Sequence, residues 1–63
     1  MMLLQKAQSL LAGEITLDTI RQLDKLNNEA SGQEQDYIAE LFEGIYAAAS
    51  EEVLRQAYDE GLL

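Results

Sequence analysis

The chain has 63 residues, a net charge of −8 at neutral pH, and neither cysteine nor histidine. This composition excludes disulfide bonds and the commonest ligands of transition metals. It also argues against binding to nucleic acid or to an anionic membrane surface, because both carry negative charge. We therefore expect one domain over residues 1–63, no cofactor, no membrane span and a cytoplasmic location.

The negative charge is concentrated in the second half of the chain. Residues 32–63 contain eight of the twelve acidic residues and a single basic residue, Arg55. A surface of this kind repels polyanions and attracts basic protein surfaces. The asymmetry therefore favours a protein partner with a basic surface.

The spacing of the apolar residues predicts helices throughout, with no alternating run that would indicate a strand. The expected fold is an all-α bundle of three to four short helices. The first helix should extend from about Met2 to Ala12, with the opening apolar residues as its first turn and not as a signal peptide. Gly13 should follow it in the left-handed conformation that often ends a helix.

The second helix is expected to begin after Thr16, which is a favourable N-cap residue. Ile15 and Ile20 have the spacing of a hydrophobic staple across that cap. The polar segment 27–32 should contain the end of this helix and a turn.

The junction between these two helices has a familiar local pattern, Leu11-Ala12-Gly13-Glu14-Ile15-Thr16-Leu17-Asp18. It resembles the junction in the short C-terminal hairpin domains of many bacterial and phage proteins. It is also similar to the start of the N-terminal domain in membrane-linked anti-sigma regulators, although the tryptophan that often follows there is absent. The resemblance implies a helix–turn–helix junction and is limited to this local motif.

The third helix should begin at Ser31, which forms the pattern of a capping box with Glu34. Its apolar stripe is expected to form the centre of the core, and it consists of Ile38, Leu41, Phe42 and Ile45. Gly44 lies away from this stripe, where close packing of another backbone would explain a glycine.

The apolar residues after Ser50 lie roughly a quarter-turn away from that stripe. One straight helix cannot bury both sets against one partner. We therefore predict a break near Ser50, with Ser50 as the cap of a fourth helix that ends at Gly61. The alternative is one long helix whose second half packs against another subunit.

The candidate binding residues lie on the acidic half. Asp36, Glu40 and Glu43 share one helix face, where they would either meet basic side chains of a partner or only keep the surface solvated. Tyr37 and Tyr58 lie outside the apolar stripe and are predicted to contact the partner, because tyrosine is enriched at binding hot spots. Tyr46 is expected at the edge of the core.

Catalytic and metal-binding patterns are absent from the sequence. Residues 27–32 resemble the first half of a calcium-binding EF-hand loop, but Ile38 stands where the bidentate glutamate is required. Without histidine or cysteine, few nucleophiles and bases remain. We expect no enzyme activity.

The predicted function is therefore that of an acidic, non-catalytic protein-binding module, acting as a regulator, inhibitor or adaptor. One alternative is a nucleic-acid mimic that inhibits a DNA-binding protein. Another is a structural subunit of a larger assembly. Self-association is also predicted, because two apolar faces, 38–49 and 53–62, point apart and a homodimer with two-fold symmetry would bury both.

Overall fold

The computed structural model describes all residues, 1–63, and it contains only helices. The prediction of an all-α bundle is confirmed, with four helices present. Their bounds are α1 Met2–Leu11, α2 Leu17–Glu29, α3 Gly32–Ala48 and α4 Glu51–Asp59.

The core is centred on two helices. The largest fully buried side chains are Ile20 and Leu23 of α2 and Ile38 and Ile45 of α3. Each outer helix contributes one small residue with no exposed surface, Ala7 of α1 and Ala57 of α4. Among the helices, α2 packs against all three others, and α1 lies against both α2 and α3.

Two of the four residues of α3 that were predicted to form the centre of the core are buried. Ile38 and Ile45 are buried, whereas Leu41 and Phe42 are partly exposed at the edge of the cluster. The reason is that α2 supplies the other half of the core centre, so the buried stripe of α3 is narrower than the sequence pattern indicates.

The start of α2 is confirmed and is more elaborate than predicted. The backbone N–H of Thr19 donates to Thr16 Oγ1 at 3.2 Å, and the N–H of Thr16 donates to Thr19 Oγ1 at 3.1 Å, which makes a reciprocal capping box. Thr19 Oγ1 also donates to the carbonyl of Glu14 at 3.1 Å. The helix ends at Glu29, within the polar segment 27–32 that was predicted to contain its end.

The break near Ser50 is confirmed. Ser50 has an extended backbone and its Oγ accepts a hydrogen bond from the N–H of Val53 at 3.2 Å. At the other end, Gly61 has φ of 76°, and the N–H of Leu62 donates to the carbonyl of Ala57 at 2.9 Å. This is a Schellman motif, in which glycine takes the left-handed position.

The turn at Ser50 also removes the reason for which self-association was expected, namely that the two apolar faces point apart. It folds α4 back so that Val53 and Leu54 pack against the same core as Ile38 and Ile45. The accessible area of 4149 Å² is close to the value of about 4,000 Å² expected for a folded monomer of this mass. Residues of both apolar faces therefore pack against one core within a single chain, and self-association stays a prediction that needs a different basis.

Two predictions about glycines are wrong. Gly13 does not have a positive φ, because α1 ends in a tight turn in which the N–H of Ala12 donates to the carbonyl of Ser9. Gly44 is exposed, and nothing lies within 4 Å of the position its Cβ would occupy, so no backbone of this chain packs closely on it. The left-handed glycine at the start of α3 is Gly32, with φ of 58°.

None of the four helices is both long enough and apolar enough to cross a lipid bilayer.

Candidate functional site

The acidic face of α3 points away from the core. Asp36, Glu40 and Glu43 are all exposed, and none is within salt-bridge distance of a basic group. Like charges one turn apart on a helix repel each other, and no cation of the chain relieves this repulsion. The face therefore has negative charge available for a partner.

A groove of about 590 Å³ lies between α1 and α3 beside this face. Its lining residues come from both helices: Leu4, Gln8, Tyr37, Glu40, Leu41 and Glu43. Leu4 and Leu41 are partly buried and form its apolar floor, whereas Glu40 and Glu43 are exposed and supply its charge. We call this the acidic groove.

Tyr37 combines an accessible ring with an oriented hydroxyl group. The residue is 38% exposed, and its Oη accepts a hydrogen bond from Gln33 Nε2 at 2.7 Å. The hydroxyl hydrogen remains available for an acceptor on a partner. The aromatic ring and the polar group are both presented at the groove, as is typical of tyrosines at interfaces.

Three of the five predicted partner-binding residues thus line one groove: Tyr37, Glu40 and Glu43. Asp36 lies on the same helix but outside the lining. Tyr58 lies on α4, is 72% exposed and lines no groove, so it is not brought together with the others. Tyr46 is 58% exposed, and its predicted position at the edge of the core is wrong.

A fourth acidic residue of α3 fixes the position of α1 beside the groove. Glu34 Oε2 accepts a hydrogen bond at 3.2 Å from the backbone N–H of Leu4, in the first turn of α1. The capping box predicted between Ser31 and Glu34 is wrong, since the side chain of Ser31 makes no capping hydrogen bond. Gly32, directly after Ser31, has a left-handed conformation. The Glu34 carboxylate instead lies at the N-terminal end of α1, where unpaired N–H groups and the positive end of the helix dipole favour negative charge.

A second groove, also of about 590 Å³, lies between α1 and α2 and was not predicted. It brings together two of the four basic residues, Lys6 and Lys25, with Leu10 and Leu26 beside them. We call it the lysine groove. No signal in the sequence indicates it, because the two lysines are far apart along the chain and belong to different helices.

The one salt bridge of the chain lies elsewhere. Arg21 Nε donates to Glu60 Oε1 at 2.9 Å, and Arg21 Nη2 donates to Glu60 Oε2 at 2.6 Å, which links α2 to the end of α4. These hydrogen bonds lower the pKa of the Glu60 carboxyl group and raise that of the Arg21 guanidinium. Lys6 and Lys25 have no carboxylate within salt-bridge distance.

No group of three or more acidic side chains has a geometry that could hold a metal ion. No protein-family model matches the chain, and comparison with curated proteins and with solved structures found no match. We therefore infer the function from the geometry and charge of the grooves.

Proposed function

We propose that this chain is a non-catalytic protein-binding module whose acidic groove takes a basic, amphipathic segment of a partner protein. The observation that carries the proposal is the combination of an apolar floor, an accessible tyrosine and two unpaired carboxylates in one groove between α1 and α3. Through this contact the module would act as a regulator, inhibitor or adaptor of its partner.

The lining supports a peptide more than a small molecule. The groove is open to solvent along its side, so it does not enclose a ligand as a typical small-molecule pocket does. An amphipathic helix needs a row of apolar contacts flanked by charge. Leu4 and Leu41 supply the apolar contacts, and Glu40 and Glu43 lie where lysine or arginine of the partner would flank them.

Each kind of residue has its own role in this proposal. The carboxylates speed association and select a basic partner, because charges at the rim of an interface act mainly on the association rate and on specificity. The floor and Tyr37 supply most of the affinity, since buried apolar and aromatic groups dominate binding energy. Catalysis is not proposed, because the groove holds no nucleophile hydrogen-bonded to a base.

A nucleic-acid mimic remains the main alternative, and the floor of the groove argues against it. Mimicry of a phosphate backbone depends on negative charge, and it does not by itself use the apolar floor or the accessible tyrosine beside the carboxylates. The two functions differ in one measurable respect, which is whether binding depends on Tyr37.

The proposal is tested with a fluorescein-labelled helical peptide that has leucines along one face and lysines on both sides of them. Binding is measured by fluorescence anisotropy against the unmodified protein and the variant Glu40→Lys/Glu43→Lys. The matched control is Glu14→Lys/Asp59→Lys, which makes the same change in net charge at exposed positions outside the acidic groove. Circular dichroism checks that each variant is folded.

The expected result is a loss of about tenfold in affinity or more for the groove variant, equivalent to about 1.4 kcal/mol, with a smaller loss for the control. Tyr37→Ala should also weaken binding. Equal losses for both lysine variants would show attraction to net charge only and would contradict the proposal. Full binding by Tyr37→Ala would favour the mimic.

A further inference from the structure

The lysine groove and the acidic groove lie on opposite sides of α1. Leu4 and Gln8 of α1 line the acidic groove, and Lys6 and Leu10 line the lysine groove. The two grooves are therefore offset by only about 3 Å along the helix axis, at 1.5 Å per residue. They have the same volume and opposite charge.

The ridge of α1 between the two grooves carries no charge. Met2 and Gln5 are exposed and lie on the side of α1 opposite the buried Ala7, and the exposed Ser9 lies where this side meets the lysine groove. Met2 is 70% exposed and presents an apolar side chain on this ridge. This ridge can approach another uncharged surface closely.

We propose that the lysine groove is a docking site for a second copy of this chain, whose acidic groove it covers. A two-fold axis parallel to α1 brings the ridges of the two copies into contact and places the acidic side of one copy next to the lysine side of the other. Because this rotation keeps positions along the axis, each acidic groove faces the lysine groove of the other copy with an offset of only about 3 Å. The pairing closes on itself, so it makes a dimer and not a filament.

Charge complementarity favours this occupant over others. Lys6 and Lys25 face Glu40 and Glu43 of the second copy, so neither the acids nor the lysines meet like charges. The pairing differs from the homodimer expected from the sequence, which would bury the two apolar faces 38–49 and 53–62. One acidic residue, Glu29, also lines the lysine groove and reduces its positive charge.

The dimer should be weak. Each copy has a net charge of −8, so the two repel each other at long range while the grooves attract at short range. A weak dimer has a regulatory consequence that rests on the proposed function. The second copy covers the acidic groove until a basic partner displaces it, so self-association and partner binding compete.

The test is a charge exchange followed by sedimentation equilibrium at moderate ionic strength. Lys6→Glu/Lys25→Glu makes both grooves acidic, and Glu40→Lys/Glu43→Lys makes both basic. We expect the unmodified chain to dimerise, each variant alone to be monomeric, and an equimolar mixture of the two variants to form a heterodimer. Glu14→Lys/Asp59→Lys is the control and should dimerise at least as strongly as the parent, because it keeps both grooves and lowers the net negative charge.

Three results would overturn the inference: a monomeric parent at the highest attainable concentration, variants that still dimerise alone, or a mixture that does not associate. Its failure is distinguishable from that of the proposed function. Lys6→Glu/Lys25→Glu leaves the acidic groove intact and should still bind the basic peptide. A monomeric parent that binds the peptide refutes the dimer alone, whereas a charge-dependent dimer that does not bind it refutes the proposed function alone.

Discussion

The acidic groove and the lysine groove have the same volume and share one wall, α1, but they carry opposite charge. Their shapes follow from packing, since α1 lies against both α2 and α3 over a common core. Their charges follow from surface residues that packing does not restrict. Helix packing thus determines where this protein has grooves, whereas a few exposed side chains determine the charge of each groove.

The largest predicted effect removes the shared core beneath both grooves. Ile38→Ala deletes a fully buried side chain and should lower the free energy of unfolding by about 2–5 kcal/mol. The control Tyr46→Ala changes a residue that is 58% exposed and should cost about 0.5 kcal/mol or less. Urea denaturation measures both. An Ile38→Ala protein as stable as its parent would contradict the described core.

The second prediction concerns the turn that orients α3, and with it the acidic face. Gly32 has φ of 58°, so Gly32→Ala should destabilise the protein by about 1–2 kcal/mol. Gly44 is an exposed helical residue with open space around it, and Gly44→Ala should stabilise by about 0.5–1 kcal/mol. Thermal unfolding compares the two. Equal effects of the same sign would show that the left-handed turn is not a constraint.

The third prediction concerns the hydrogen bond that holds α1 against α3. Glu34→Gln keeps a hydrogen-bond acceptor but removes its negative charge. It should lower the free energy of unfolding by about 0.5–1 kcal/mol, because a negative charge stabilises the N-terminal end of α1. Asp36→Asn is the control, an exposed acid of the same helix without a hydrogen bond, and should change stability by less than about 0.5 kcal/mol. In NMR spectra, the amide resonance of Leu4 should shift in the first variant only.

The smallest predicted effect concerns Arg21, a base that lies outside the lysine groove and is paired with Glu60. Arg21 lowers the pKa of Glu60 in the folded protein, so the pair stabilises the fold above the ordinary glutamate pKa of about 4.3. This contribution is lost as the pH falls through the lowered pKa. Glu60→Gln should therefore be less stable than its parent at neutral pH and equally stable in strong acid.

Denaturation at a series of pH values measures this difference. The pair is exposed, so added salt should reduce the difference at neutral pH. A difference that is unchanged down to strong acid would mean that Glu60 acts through something other than its charge.

The parts of the structure that depend on nearby residues were predictable from the sequence. Thr16 and Ser50 cap helices that follow them directly, and Gly61 ends the last one, so both helix starts and the break in the chain were correct. The sequence indicated Tyr37, Glu40 and Glu43 as binding residues because they come from one helix, but it did not indicate the groove that they form with α1.

Features that join distant residues were not predictable. Glu34 caps α1 across 30 positions of the chain and not the helix to which it belongs. Lys6 and Lys25 become neighbours in one groove only after α1 packs against α2. The spacing of residues along one helix contains no information about which other helix it will contact, so neither interaction has a local signature.

The most direct test of the central claim is an NMR titration of the isotope-labelled protein with the leucine–lysine helical peptide. We expect saturable chemical-shift changes on the residues of α1 and α3 that line the acidic groove, with Leu4, Tyr37 and Leu41 among them. Glu51 and Glu52, exposed acids of α4, should shift little. Shifts that instead follow acidic residues over the whole surface, without saturation, would contradict a binding groove between α1 and α3.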